Sequence, residues 1–180
     1  MAALEDDLIG ETLLTADQIG ERIAELGAEI ARDYEGRNPI LVSVLKGAFI
    51  FVADLVRATP IPLEIDFMAV SSYGASTRSS GVVRIVKDLD VDLNDRHVII
   101  VEDIIDSGLT LRYLRKTLES RGTASLEVCA LLVREGNQQA ELDLRYVGFR
   151  IPPAFVIGYG LDVAEQYRNL PHIADYRGGD

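Results

Sequence analysis

Cysteine occurs once in 180 residues, at Cys129, so the chain has no disulfide framework. Its neighbours, Val128 and Ala130-Leu131-Leu132-Val133, are apolar, which predicts a buried and inert thiol. Histidine is almost as scarce. His97 and His172 lie far apart with no cysteine beside them, a spacing that suggests no zinc site. Cations are outnumbered, with 18 Lys and Arg against 29 Asp and Glu, for a formal net charge of -11. A nucleic-acid face needs clustered Lys and Arg, so that class of partner is disfavoured; a small anion held by local cations and a metal is still allowed. No apolar run approaches the length of a membrane span, and the acidic start from Met1 to Asp7 has no apolar signal core. The expectation is a cytoplasmic protein.

Three common ligand loops are missing as well. Leu45-Lys46-Gly47 lacks the further glycines and the hydroxyl of a Walker A loop. Gly158-Tyr159-Gly160 is followed by Val163 where a dinucleotide fingerprint needs its third glycine. Asp88 to Asp92 begins like a calcium loop, but Leu93 and Ile99 replace the glycine and the final glutamate that such a loop requires.

Enough apolar material is present, at 48% of residues, for one domain over residues 1–180 that buries about 70% of its unfolded surface. Thr15-Ala16-Asp17-Gln18 has capping-box form, and Ile19, Ile23, Leu26 and Ile30 then mark one face of a helix ending near Gly36. Residues 40–45 are a continuous apolar run of the buried-strand type, followed by a helix over 48–56. Strands are expected over 63–70, 82–86, 97–101, 126–133 and 154–160, with Leu111, Leu114 and Leu118 at helical spacing before Gly122. Alternating strands and helices predict an α/β fold, a parallel sheet with helices on both faces. Ligands of such sheets sit at the strands' carboxyl ends, where Lys46 and Glu102 fall.

The segment from Val101 to Thr110 is the most informative. An apolar strand runs into Glu102 and Asp103, then Asp106, then the small hydroxyl-bearing turn Ser107-Gly108-Leu109-Thr110, which opens a helix. Backbone N–H groups and hydroxyls aimed at one point from a helix N-terminus hold a phosphate. The acids suit other work: Glu102 and Asp103 accept from sugar hydroxyls or face a hard cation, and Asp106 is placed for proton transfer. The segment therefore reads as a binder of a phosphorylated sugar.

Val-Glu-Asp-Ile-Ile-Asp-Ser-Gly-Leu-Thr resembles the phosphoribosyl-diphosphate signature of type I phosphoribosyltransferases, in wording nearest the hypoxanthine-guanine branch. The resemblance runs from about Ile40 to Leu170. It implies a parallel sheet flanked by helices, a small hood subdomain from the chain ends, and a mobile lid at residues 71–81 carrying Ser72 and Tyr73. The bare residues of that loop also fit a plain hairpin tip. By the same resemblance, Lys46 and Gly47, with a non-proline cis peptide, and Arg168 bind diphosphate. Glu102, Asp103, Ser107, Gly108, Leu109 and Thr110 hold the phosphoribosyl group. Phe155 stacks on the purine, Val156 meets its edge, and Asp162 lies near both base and metal. Magnesium is the implied cofactor, with Glu102, Asp103 and Asp162 as its acids. Asp106 acts at the five-membered-ring nitrogen. Arg134 departs from the family pattern, which has lysine there; both donate only, so rejection of adenine's amino group is retained while the donor geometry changes.

The implied reaction joins hypoxanthine or guanine to phosphoribosyl diphosphate, giving IMP or GMP and diphosphate. A homodimer or homotetramer is the family's habit. Two alternatives stay open: an RNA-binding regulator on the same fold, which the acidic composition disfavours, and a transferase that prefers xanthine or another base.

Overall fold

The computed structural model describes residues 7–72, 83–136 and 143–178. Tyr73 and most of the expected lid, residues 73–81, lie outside the described residues, and Ser72 is described only as strand backbone. The elements in chain order are β1 (Ile9–Leu14), α1 (Ala16–Asp33), β2 (Ile40–Leu45), α2 (Phe49–Ala58), β3 (Glu64–Ser72) and β4 (Val83–Lys87). There follow β5 (His97–Ile105), α3 (Leu109–Glu119), β6 (Ser125–Arg134), β7 (Tyr146–Ile151), β8 (Val156–Ile157) and β9 (Ile173–Tyr176).

Among the described residues, six strands form one sheet in the order β4-β3-β2-β5-β6-β7. All neighbours are parallel except β3 and β4. The apolar runs of β2, β5 and β6 explain why these three are central, since each is buried on both faces. Alternate residues sort to opposite sides. Ile99 and Val101 pack with Ile19, Ile23, Leu26 and Ile30 of α1 and Phe51 and Leu55 of α2. Val98 and Ile100 pack with Leu111, Leu114 and Leu118 of α3. The helices thus cover both faces, as the alternation predicts.

Thr15 caps α1 in the expected way: its hydroxyl accepts from the Gln18 N–H at 3.2 Å while the Gln18 side chain accepts from the Thr15 N–H at 2.9 Å. Cys129 is fully buried, and burial pushes its thiol pKa up, in keeping with an inert core residue. A second sheet, β1-β9-β8, is antiparallel and joins the two ends of the chain. It is the hood that the family resemblance implies.

Two boundaries differ from expectation. Strand β5 continues through Glu102 and Asp103 to Ile105, because parallel pairing with β6 persists to Ile105 opposite Val133. The acids therefore lie in the last turn of pleat rather than beyond the strand. The expected strand over 154–160 contracts to Val156–Ile157, since Gly158 and Gly160 have φ of +98° and +100° and turn the chain away. Leu114 is wholly buried between α3 and the sheet. Leu114→Ala should cost about 2–5 kcal/mol in chemical denaturation, and a loss below about 1 kcal/mol would show that this face packs loosely.

Candidate active site

Parallel pairing of β2 with β5, and of β5 with β6, brings three strand ends side by side. Lys46 follows β2 directly, Glu102 to Asp106 close β5, and Arg134 closes β6. The peptide bond between Leu45 and Lys46 is cis, the non-proline cis bond that the resemblance implies. Gly47 then runs against β5 so closely that a Cβ there would lie 1.6 Å from Asp103 Oδ2. No side chain fits. Gly160 rests in turn on Gly47, where a Cβ would lie 2.2 Å from the Gly47 carbonyl oxygen. A segment near the C-terminus is thereby held over the end of the sheet.

The phosphate-binding expectation falls on a cleft of about 220 Å³. Its lining includes Glu102, Asp106, Ser107, Gly108 and Thr110, with Val44 and Val70 on the neighbouring strands. Gly108 caps α3 at φ +78°, and the first turn of the helix carries no acid. The Ser107 hydroxyl accepts from the Leu109 N–H at 3.4 Å. These features leave the helix N-terminus without a neighbouring first-turn acid, which suits it to an anion. A larger cavity of about 590 Å³ lies between α1, α2 and residues 169–171. Its charged lining residues, Asp54 and Arg57, pair with each other at 2.6 Å, and the Tyr159 hydroxyl donates to Asp54. It is lined by none of the acids of β5.

The two acids of β5 are electrostatically loaded. Glu102 is only 8% exposed, and burial together with the Asp103 charge pushes its pKa well above the usual carboxylate range. Asp103 is also raised, chiefly by burial; the Ile104 N–H (2.8 Å) and the charge of Arg168 oppose the rise, while Asp162 adds to it. Buried neighbouring carboxylates of this kind call for a cation. Among the described residues no cluster of three His, Cys, Asp or Glu forms a self-sufficient metal cage. The donor set therefore fits a hard ion such as magnesium, which keeps water and substrate oxygens in its shell and takes one or two protein carboxylates.

The candidate diphosphate cations converge on Glu165. Arg168 donates through Nη1 to the Gly160 carbonyl at 2.7 Å and pairs through Nη2 with Asp162 at 2.7 Å and Glu165 at 3.1 Å. Its Nε is buried without a hydrogen-bond partner. Lys46 pairs with the same Glu165 at 2.9 Å. Arg134 Nη1 meets Asp106 Oδ2 at 2.9 Å, so the two residues assigned to the base and to proton transfer are direct neighbours. Phe155 follows Ile151, the β7 residue opposite Arg134, by a short Pro152-Pro153-Ala154 link. Its ring is 46% exposed and leans on Tyr176 at a centroid distance of 5.7 Å, leaving a face open for stacking. Val156 is buried in the hood's strand pairing, which orients its backbone rather than its side chain.

Local pattern gives Glu165 no role and marks Gly160 only as a glycine at a strand end. The only signal for Glu165 is its place three residues before Arg168. Gly160's role depends on a contact with Gly47, 113 positions earlier, that no local pattern reveals.

A pH dependence follows from Glu102. Its folded pKa lies above its unfolded value of about 4.3, so between the two the native state holds a proton that the unfolded state has lost. Stability therefore falls as pH rises through that window. Glu102→Gln removes this penalty, and its melting temperature relative to wild type, measured without magnesium, should climb as pH rises from the unfolded carboxylate value toward the raised folded one. A difference that does not change with pH would contradict the assignment.

Comparison with known proteins agrees with this geometry. A family model described as the phosphoribosyl transferase domain matches residues 10–164. A hypoxanthine-guanine phosphoribosyltransferase of Mycobacterium tuberculosis is 55% identical over 171 residues, covering 92% of this chain and 85% of that protein. Its counterpart in Bacillus subtilis is 48% identical, covering 92% of each. Among solved structures, a hypoxanthine phosphoribosyltransferase of Staphylococcus aureus matches with a TM-score of 0.94 and 41% identity, over 98% of this chain and 96% of that one. On fold, site geometry and sequence together, the chain belongs to the phosphoribosyltransferase family, in its hypoxanthine-guanine branch.

Proposed function

We propose that the chain transfers the phosphoribosyl group of phosphoribosyl diphosphate to hypoxanthine and guanine, as a purine-salvage enzyme. The observation that carries this reading is the Arg134–Asp106 contact of 2.9 Å at the ends of adjacent strands, beside the phosphate cleft. A 6-oxopurine presents its exocyclic oxygen and its N7 next to each other on one edge. Arg134, a donor only, suits the oxygen, and Asp106 suits the N7 proton. Adenine offers an amino donor where Arg134 also donates, so it is rejected. The adjacent placement matches the edge of one base class.

In the forward reaction, N9 of the purine bonds to the anomeric carbon as the bond to diphosphate breaks, and the N7 proton passes to Asp106. Proton transfer of this kind contributes about 10²–10⁴-fold. The helix N-terminus at Ser107 to Thr110 holds the 5′-phosphate, Lys46, the Gly47 backbone and Arg168 hold the diphosphate, and Phe155 covers the base. Glu102 and Asp103, with Asp162 nearby, would help hold a magnesium ion together with substrate oxygens, and that ion would supply charge neutralisation for the diphosphate leaving group. Residues 1–180 act as one domain with 71–81 as its lid, excluding water from the reacting sugar. The family's dimers or tetramers are the expected assembly, with no nucleic acid or membrane partner. No helix among the described residues is long and apolar enough to cross a membrane.

The test is a panel of hypoxanthine, guanine, xanthine and adenine with phosphoribosyl diphosphate and magnesium, for wild type and Asp106→Asn. Wild type should consume hypoxanthine and guanine but not adenine, and the variant should keep donor binding while losing at least about 10²-fold in kcat. Preference for xanthine would move the base assignment, and wild-type turnover in Asp106→Asn would remove that residue from the chemistry.

A further inference from the structure

Glu165 holds both candidate diphosphate cations at once, Lys46 through Oε1 at 2.9 Å and Arg168 through Oε2 at 3.1 Å. The two oxygens of one carboxylate thus engage both of the cations proposed to hold the diphosphate. The backbone presents this side chain deliberately: Ala164, Glu165 and Tyr167 have φ of +50°, +65° and +72°, a run of left-handed conformations that L-residues seldom adopt. The Glu165 N–H is fixed by Asp162 Oδ2 at 2.8 Å.

We infer that Glu165 is an internal competitor for the diphosphate subsite, a positioning residue that keeps Lys46 and Arg168 apart from weak anions and yields them to the diphosphate of the sugar donor. The inference rests on the assignment of Lys46 and Arg168 to that subsite.

The contacts differ in how easily they part. Arg168 keeps its place without Glu165, because the Gly160 carbonyl and Asp162 hold it at 2.7 Å each and its side chain is mostly buried. Lys46 and Glu165 are 67% and 62% exposed, and an ion pair this open to water contributes little. Rotating the Glu165 side chain outward disturbs no buried contact. A diphosphate, with several charges and bidentate acceptors for the arginine fork, outcompetes one carboxylate; a lone phosphate or sulfate has less to offer. Glu165 therefore sets a threshold that selects polyanions.

The experiment compares wild type with Glu165→Gln and Glu165→Gly. The second variant suits φ +65° at least as well as the native residue, so it guards against a folding defect in the first. Both should lower the KM for phosphoribosyl diphosphate and the inhibition constant of inorganic diphosphate by about three- to tenfold, the scale of releasing exposed ion pairs. Inhibition by inorganic phosphate should strengthen by no more than the factor seen for diphosphate, since one competitor is removed for both, and the KM for hypoxanthine should stay within about twofold. A donor KM that is unchanged or higher in both variants overturns the inference. Lys46→Ala separates the two levels. If it leaves the donor KM unchanged, the subsite assignment itself fails; if it raises the donor KM while neither Glu165 variant lowers it, only the role of Glu165 falls.

Discussion

Three segments distant in sequence meet at a stack that contains almost no side chain. Gly160 lies on the Gly47 carbonyl, and Gly47 lies on the Asp103 carboxylate, each too close to admit a Cβ. Lys46, Asp103 and Arg168 depend on this stack for their mutual positions. Arg168 adds a bond of its own, donating to the carbonyl of Gly160, so the arginine is anchored on the same glycine that seats the loop. A side chain at residue 160 would press on the Gly47 backbone and lift the C-terminal segment from the sheet, and one at residue 47 would displace the Asp103 carboxylate.

Charge is arranged around this stack in an economical way. A chain of net charge -11 binds a polyanion by concentrating a few cations and pairing each with an acid. Lys46 faces Glu165, Arg168 faces Asp162 and Glu165, and Arg134 faces Asp106. Every pair joins groups that the proposed chemistry uses or displaces. Burial raises the pKa of both Glu102 and Asp103, and the Asp103 charge adds to the rise at Glu102, so the pair suits a neighbouring cation. An acidic protein and an anionic substrate are compatible on these terms.

Much of this was legible in the residues, for reasons that differ by region. Central strands are apolar on both faces, so β2, β5 and β6 announce themselves, as do the three helices through their spacing and the Thr15 cap. The phosphate turn is a contiguous run, and contiguous runs survive in one dimension. Strands β1, β7 and β9 did not show. Gly10 and Glu11 interrupt β1, Gly148 and Arg150 interrupt the alternation of β7, and β9 has only four residues. Each is stabilised by a partner from elsewhere in the chain, which sequence pattern cannot supply. The apolar run of β5 ends at Val101, but parallel pairing with β6 carries the strand on through Glu102 and Asp103 to Ile105. Arg134 was legible as a donor, but its contact with Asp106 required the register of two strands.

A backbone contact between Gly160 and Gly47 brings together the cations of the proposed diphosphate subsite. Gly160→Ala tests it most directly, by calorimetric titration of inorganic diphosphate with magnesium, with circular dichroism to verify that the sheet is retained. The contact being as described, the variant keeps its secondary structure and loses diphosphate affinity by more than about tenfold, a shift of about 1.4 kcal/mol. Wild-type affinity in a folded Gly160→Ala protein would contradict the account.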